Sequence, residues 1–367
     1  MATTIRQVAA AAGVSIATAS RALSGSDAVV ASTKQRVLEV AQRLDYLPSR
    51  LGRSLATGTT GNVGVILPDV TNPFYTEFLA ELESALGARD IGVLVGDSHE
   101  TPELERRLIQ RMATQVDQLV LASSRLDDGD VAQASARLPV LLANRMLGAE
   151  TPAPATLRQV TIDVEPGFRE AVHHLRELGH AAITYIDGPP QSWSGRQKAR
   201  VLETVCGELS MPLTTVQLAR PDFGGGRDAG ARVLEGAPNT TAIIAFNDQV
   251  ALGLLSALRE RGLDVPGDVS VVGCDDSLPE GMAWPALTTV DSSSRMLGAR
   301  AAAAILEPGA PQPGSVPTRL IVRASTGRSH TAGIANVAGR EAKRIESASA
   351  PPPVEKRSVS RPHPPHH

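Results

Sequence analysis

Apolar positions along this chain follow two periods, and the switch between them falls near residue 60. In the stretch TIRQVAAAAGVSIATASRALSG, Thr4 to Gly25, the residues Ile5, Val8 and Ala9 stand at i, i+3 and i+4 and mark one face of a short helix. Gly13 supplies the backbone freedom of a sharp turn, and Ser15 is placed to cap a second helix over Ile16–Leu23. A third helix is predicted from Ser32 to Leu44, with Val37, Leu38, Val40, Ala41 and Leu44 inward. Beyond Asn62, short apolar runs alternate with helical patterns. Strands are predicted at Val63–Leu67, Ile91–Val95, Gln118–Leu121 and Val140–Ala143, and helices near Phe74–Ala88, Pro102–Thr114 and Val131–Arg137. The pattern restarts at Val160, with strands at Ala182–Ile186, Thr215–Leu218, Ala242–Phe246 and Val269–Val272. Helices at Glu165–Leu178, Ser194–Leu209, Gly226–Leu234 and Asp248–Arg261 separate them, and Leu287–Val290, a helix at Arg295–Leu306 and a strand at Arg319–Val322 follow. Such alternation predicts an α/β body of two doubly wound parallel sheets, two similar halves around a cleft.

Between the helical start and this body lies Ser49–Ala56, a helical pattern well below the roughly 12–15 residues an isolated helix needs in water. It reads as a coil until something orders it. The end of the chain, from Ser329, is rich in Ala, Ser, Pro and His and contains no Leu, so it is expected to be a disordered tail.

Charge sharpens the division. Residues 1–60 hold seven Lys and Arg against three acids, and the tail from Ser329 holds six against three. With a net charge of −3 overall, the middle carries −10. A basic head on an acidic body favours phosphate contact through the head alone. The second helix fits that use. Its outer side, Ala17, Thr18, Ser20 and Arg21, is thin and partly polar, as a helix lying in a major groove must be.

In open α/β sheets, ligands sit beyond the carboxyl ends of strands. The polar and aromatic residues falling there are Asp69, Thr71, Asn72, Phe74 and Tyr75, then Asn144 and Arg145, then Asp187 with Arg196 in the next helix. Phe223, Asn247-Asp248 and Asp275-Asp276 follow the later strands. Carboxylates accept pairs of hydroxyl hydrogens, guanidinium groups donate to ring oxygens, and aromatic planes cover C–H faces, a set suited to a polyhydroxylated ligand. Arg145 also reads as a surface ion pair, and Asp187 or Asp276 as a turn or helix cap.

The pattern T-I-x-x-V-A-x-x-A-G-V-S-x-x-T-x-S-R-x-L resembles the helix-turn-helix of the lactose-repressor (LacI/GalR) family of bacterial transcription regulators. The phrases P-D-V-T-N-P-F-Y, H-H-L-R-E-L-G-H, A-F-N-D-Q-V-A-L-G and L-D-V-P-G-D-V-S-V-V-G-C-D-D are similar to its effector domain, so the resemblance covers residues 3–328. It implies a helix-turn-helix head over 1–48, a hinge helix and linker over 49–61, and a two-lobed, periplasmic-binding-protein-like body over 62–328, ahead of the tail, 329–367. Lobe 1 would take about 62–161 and 291–318, and lobe 2 about 162–290 and 319–328. DNA contacts are implied for Thr4, Ser15, Ile16, Ala17, Thr18, Ser20 and Arg21, and for Leu55 as a minor-groove wedge of the hinge, unless Leu55 packs on the body instead. Effector contacts are implied for Asn72, Phe74, Arg145, Arg196, Phe223, Asp248 and Asp275.

The resemblance implies a repressor that acts as a homodimer on double-stranded operator DNA under control of a small-molecule effector, a sugar or sugar-like metabolite, with no cofactor. Three departures qualify it. Ala19 and Ala22 stand where the family commonly has Val, Asn144 replaces a frequent Asp, and Ile16 and Ala17 offer no hydrogen bond to a base edge. A sugar-binding receptor without DNA specificity would share the body, but would call for a secretion signal and no basic head. The start of the chain lacks the apolar core of such a signal, no apolar run approaches a membrane span, and two cysteines fit a reducing compartment, so the chain is expected to be cytoplasmic. No P-loop, G-x-S-x-G, H-E-x-x-H or G-x-G-x-x-G after a strand is present, and no enzyme is expected. The run Gly224–Gly226 and the trio His173, His174 and His180 are weak alternatives for a phosphate or a metal.

Overall fold

A computed structural model describes residues 3–46, 58–236, 240–279 and 281–329. The hinge segment and its Leu55, and nearly all of the tail, lie outside the described residues.

The head is three helices, α1 (Ile5–Ala12), α2 (Ile16–Leu23) and α3 (Ala31–Arg43). Thr4 and Gln7 form a reciprocal capping box at the start of α1, so two free N–H groups find partners at once. Gly13 ends α1 at φ +65, a left-handed conformation that a side chain resists. Ser15 then caps α2, its Oγ accepting from the Thr18 amide at 3.0 Å. Val8, Ala9, Ala12, Ala19, Ala22, Val37, Val40 and Ala41 form the buried core. Ala19 and Ala22 are therefore packed inside, where the small side chains bring α2 close to its neighbours. Leu38 is exposed rather than inward.

The body alternates strands and helices. The first set is β1 (Asn62–Leu67), α4 (Pro73–Gly87), β2 (Gly92–Asp97), α5 (Pro102–Met112), β3 (Gln118–Ala122), α6 (Asp128–Ser135), β4 (Val140–Ala143) and β5 (Leu157–Val160). These strands form one parallel sheet in the order β2-β1-β3-β4-β5. β5 belongs to this sheet, so Val160 closes the first half instead of opening the second. Arg158 fixes that edge, its guanidinium donating to the carbonyls of Ala304 at 3.3 Å, Glu307 at 2.8 Å, Ala310 at 3.0 Å and Pro311 at 2.7 Å.

The second set is β6 (Ile162–Asp163), α7 (Glu165–Glu177), β7 (Ile183–Asp187), α8 (Trp193–Glu208), β8 (Leu213–Gln217), α9 (Phe223–Gly236), β9 (Ala242–Ala245), α10 (Asp248–Glu260), β10 (Ser270–Asp275), β11 (Thr288–Asp291), α11 (Ser294–Leu306), β12 (Val316–Pro317) and β13 (Arg319–Ile321). Six strands form a sheet in the order β13-β11-β10-β9-β7-β8, and β12 and β6 make a short parallel pair. The sheet is parallel except at its edge, where β13 runs antiparallel to β11. Helices α9 and α10 lie backbone to backbone. A Cβ on Gly253 would stand 2.0 Å from the Phe223 carbonyl oxygen, so glycine is required for that approach.

Contacts divide the described residues into two units. One takes those of Met1–Val70, Phe78–Thr161 and Leu297–Gly314, and the other those of Thr71–Glu77, Ile162–Met296 and Ser315–His367.

Candidate functional site

The reading face of the head is built by α2. Its cap, Ser15, also shares a hydrogen bond with the Thr18 hydroxyl at 2.8 Å, so these two side chains hold each other. Thr4 is held in the same way by Gln7 at the start of α1. Ile16, Ala17 and Arg21 are exposed, Thr18 and Ser20 are half-buried, and Ala19 and Ala22 face the core. The fully exposed side chains of this helix are therefore two apolar ones and one guanidinium, with the Thr18 and Ser20 hydroxyls half-buried beside them.

The second unit gathers most of the remaining candidates. Asn72 is buried and accepts from the Phe74 amide at 3.0 Å, ordering the start of α4. Phe74, also buried, meets Tyr75 edge to face with ring centres 5.0 Å apart. Gln249 donates to the Thr71 carbonyl at 3.2 Å, which ties this segment to α10. Phe223 opens α9 with its ring about half exposed, because that helix begins earlier than the glycine run suggests.

Asp248 is the first residue of α10 and only 1% exposed. Its carboxyl accepts from the Thr289 hydroxyl at 2.6 Å and the Ser277 amide at 2.9 Å. Burial, and then the repulsion of Asp275 and Asp276, push its pKa up to about 7 against the pull of those donors.

Asp275 ends β10, and both it and Asp276 have positive φ, at 111 and 50. Two successive non-glycine residues in that region mark a backbone held by its surroundings. Asp275 accepts from the Ser292 hydroxyl at 3.1 Å. It also lines a cavity of about 380 Å³ with Glu77, Asp276, Asp291, Ser294 and Arg295. Asp276 forms an ion pair with Arg323 at 2.6 Å, and Asp187 accepts from the Gly188 amide at 2.7 Å.

The cation beside Asp275 is Lys198, which the sequence reading passed over. Arg196 is exposed and donates to the Pro190 carbonyl at 3.0 Å, whereas Lys198 is buried. Its ammonium donates to the Phe246 carbonyl at 2.8 Å and lies 4.4 Å over the Phe246 ring. Burial would lower its pKa, but Cys274, Asp275 and Asp187 together raise it, so Lys198 is held charged. Asp275 in turn is raised by burial and drawn back by Lys198, while burial pushes the Cys274 thiol up to about 12. Helical spacing carried the signal: Ser194, Lys198, Leu202 and Val205 share the buried face of α8.

Arg145 stands apart, in the first unit. It pairs with Asp128 at 2.7 Å, and donates to the carbonyls of Ser124, at 3.1 Å, and Leu126. The ion-pair alternative describes it, though the pair is buried on the Arg145 side. Among the described residues, no group of His, Cys, Asp and Glu is arranged to hold a metal. His174 pairs with Thr326 at 2.9 Å, and His180 with Thr241 at 2.9 Å and Ser270 at 3.0 Å. No helix among them is long and apolar enough to cross a membrane.

Comparison with known proteins agrees with this architecture. Residues 4–49 match the family described as bacterial regulatory proteins, lacI family, and residues 172–326 match a periplasmic binding protein-like domain. The chain is 31% identical to catabolite control protein A of Priestia megaterium over 301 residues, which cover 81% of this chain and 89% of that protein. The solved lac repressor dimer bound to operator and the anti-inducer ONPF matches with a TM-score of 0.78 and 26% identity, covering 89% of this chain and 100% of that one. The complex of the transcriptional regulator CelR with cellobiose matches with a TM-score of 0.64 and 28% identity, covering 88% and 99%. The chain belongs to the lacI family of bacterial regulatory proteins. It is a DNA-binding transcriptional regulator with a helix-turn-helix head and a periplasmic-binding-protein-like body, and its relatives are regulators rather than enzymes.

Proposed function

We propose that this chain is a cytoplasmic repressor, without catalytic activity or cofactor, whose affinity for its operator is set by a small polyhydroxylated ligand at the strand mouths of the second unit. The observation that carries this reading is the Lys198–Asp275 arrangement beside the cavity of about 380 Å³. A half-buried carboxylate under the field of a buried ammonium can accept hydroxyl hydrogens, and Phe223 offers an aromatic face after another strand of the same sheet. The CelR–cellobiose complex, a relative in fold and sequence, supports a sugar or sugar-like metabolite as the class. The lac repressor dimer on its operator supports two copies acting on a near-palindromic site. Ligand binding then changes operator affinity by its differential affinity for the DNA-competent state.

The test begins with selection from a random duplex pool by the purified full chain at fixed moderate salt. An enriched palindrome is expected, and its affinity should shift with one member of a panel of mono- and disaccharides. Asp275→Asn should remove that shift and leave operator affinity without ligand unchanged within about twofold, since Asp275 is not on the DNA-reading helix. Enrichment of no sequence overturns the regulator reading, and a full ligand response in Asp275→Asn overturns the ligand site.

A further inference from the structure

The reading face of α2 is short of hydrogen-bonding groups, and that shortage is informative. Ser15 and Thr18 are spent on each other and on the helix cap. Ala19 and Ala22 are buried, and Ser20 is half-buried. What remains outward is Ile16, 46% exposed, with Ala17 beside it and Arg21 one turn further on. Among the described residues of the head, Ile16, Val30 and Leu38 are the large apolar side chains that stay so open to solvent. Among the groups that the four base pairs show in the major groove, the thymine 5-methyl is the apolar one, while a guanine O6 and N7 pair is the usual target of an arginine fork.

We propose that each operator half-site presents a thymine whose 5-methyl group packs against Ile16 and Ala17, beside the guanine that an arginine fork such as that of Arg21 ordinarily takes. This rests on the operator-binding reading above and names the bases that reading left open. Ala17 and Arg21 are four residues apart, about 6 Å along the helix axis. On a helix lying along the groove, that distance is about two base steps at roughly 3.4 Å each. The thymine and the guanine therefore stand within about two base pairs of each other. Specificity at the thymine comes from fit and desolvation, so it tolerates salt. Arg21 adds a charged contact that weakens as salt rises.

The test uses the full chain and the palindromic duplex that it enriches. Each thymine is replaced in turn by deoxyuridine, which lacks only the 5-methyl, and each guanine by 7-deazaguanine, which lacks the N7 acceptor. One or two uridine substitutions per half-site should weaken binding about fourfold, the effect of leaving one buried methyl-sized group out. In Ile16→Ala that loss should shrink toward unity, because the methyl has lost its partner. In Arg21→Ala the uridine effect should persist while sensitivity to 7-deazaguanine disappears. A duplex bound specifically with no thymine sensitive to uridine overturns the proposal, as does a uridine effect undiminished in Ile16→Ala. Failure to enrich any duplex is a different result: it removes the operator-binding reading itself.

Discussion

Asp248 is held by Thr289 and Ser277 rather than by a cation, and its two acidic neighbours oppose its charge. Its pKa is raised from 3.8 to about 7 in the folded chain, so the folded state holds that proton more tightly than the unfolded state. Its contribution to stability is fully present below 3.8 and is lost as the pH rises through about 7. Urea unfolding of Asp248→Asn across that window should show a flatter pH profile than the parent; an unchanged slope would assign the dependence elsewhere. Lys198 gives the converse case. Lys198→Met removes the buried cation that draws the Asp275 pKa down and should destabilise the chain in the same measurement. Adding Asp275→Asn should restore part of the loss, and strictly additive losses would count against an electrostatic coupling of the two. Chemistry at this site was half legible: the spacing on α8 marks Lys198 as inward, but a reading that seeks a guanidinium for a sugar settles on Arg196. Which of two basic residues turns inward depends on where the helix starts, and Ser192 sets that by accepting from the Gly195 amide at 3.0 Å.

At the scale of elements, buried apolar runs declared themselves and polar edges did not. β1, β3 and β4 are almost wholly buried, and their strands stand out as short runs dominated by Val, Ile and Leu. β5 is Leu157–Val160 with Arg158 inside it, and no periodicity reveals a strand whose arginine is satisfied by carbonyls far along the chain. β8 is an edge with exposed residues, and its start at Leu213 is hidden by Thr214 and Thr215. Helix starts were missed where a capping acid was not recognised: Asp127 accepts from the Asp130 amide at 2.7 Å and begins α6. In the head, where Gly13 and Ser15 were recognised, both act as their residue types require. Ser15→Ala should cost about 1 kcal/mol, read as faster hydrogen exchange of the α2 amides with α5 unaffected. Equal acceleration in both helices would mean that the cap does not act locally.

At the scale of the molecule, charge and fold divide the work. The basic start of the chain carries the DNA-reading helix, and the acidic body carries the carboxylates of the second unit. A chain lacking residues 1–60 should lose operator binding and still unfold cooperatively, with a single transition seen by both circular dichroism and tryptophan fluorescence. A broad, non-cooperative melt would show that the body depends on the head for its fold.

Neither unit is a continuous length of chain. The first recovers Leu297–Gly314 after a long excursion, and Arg158 meets its carbonyls only there; the second is finished by β12 and β13. During synthesis, β5 waits with its guanidinium in water until the ribosome has released residues some 150 positions later. The sheet of the second unit likewise lacks its last edge until the final described residues emerge. A chain truncated anywhere between residues 162 and 296 thus yields two incomplete units rather than one sound unit and one broken one, the first lacking Leu297–Gly314 although its sheet is whole. Quality control meets such a chain with both units unfinished at once, and only the head, whose core is closed by residue 46, stands complete.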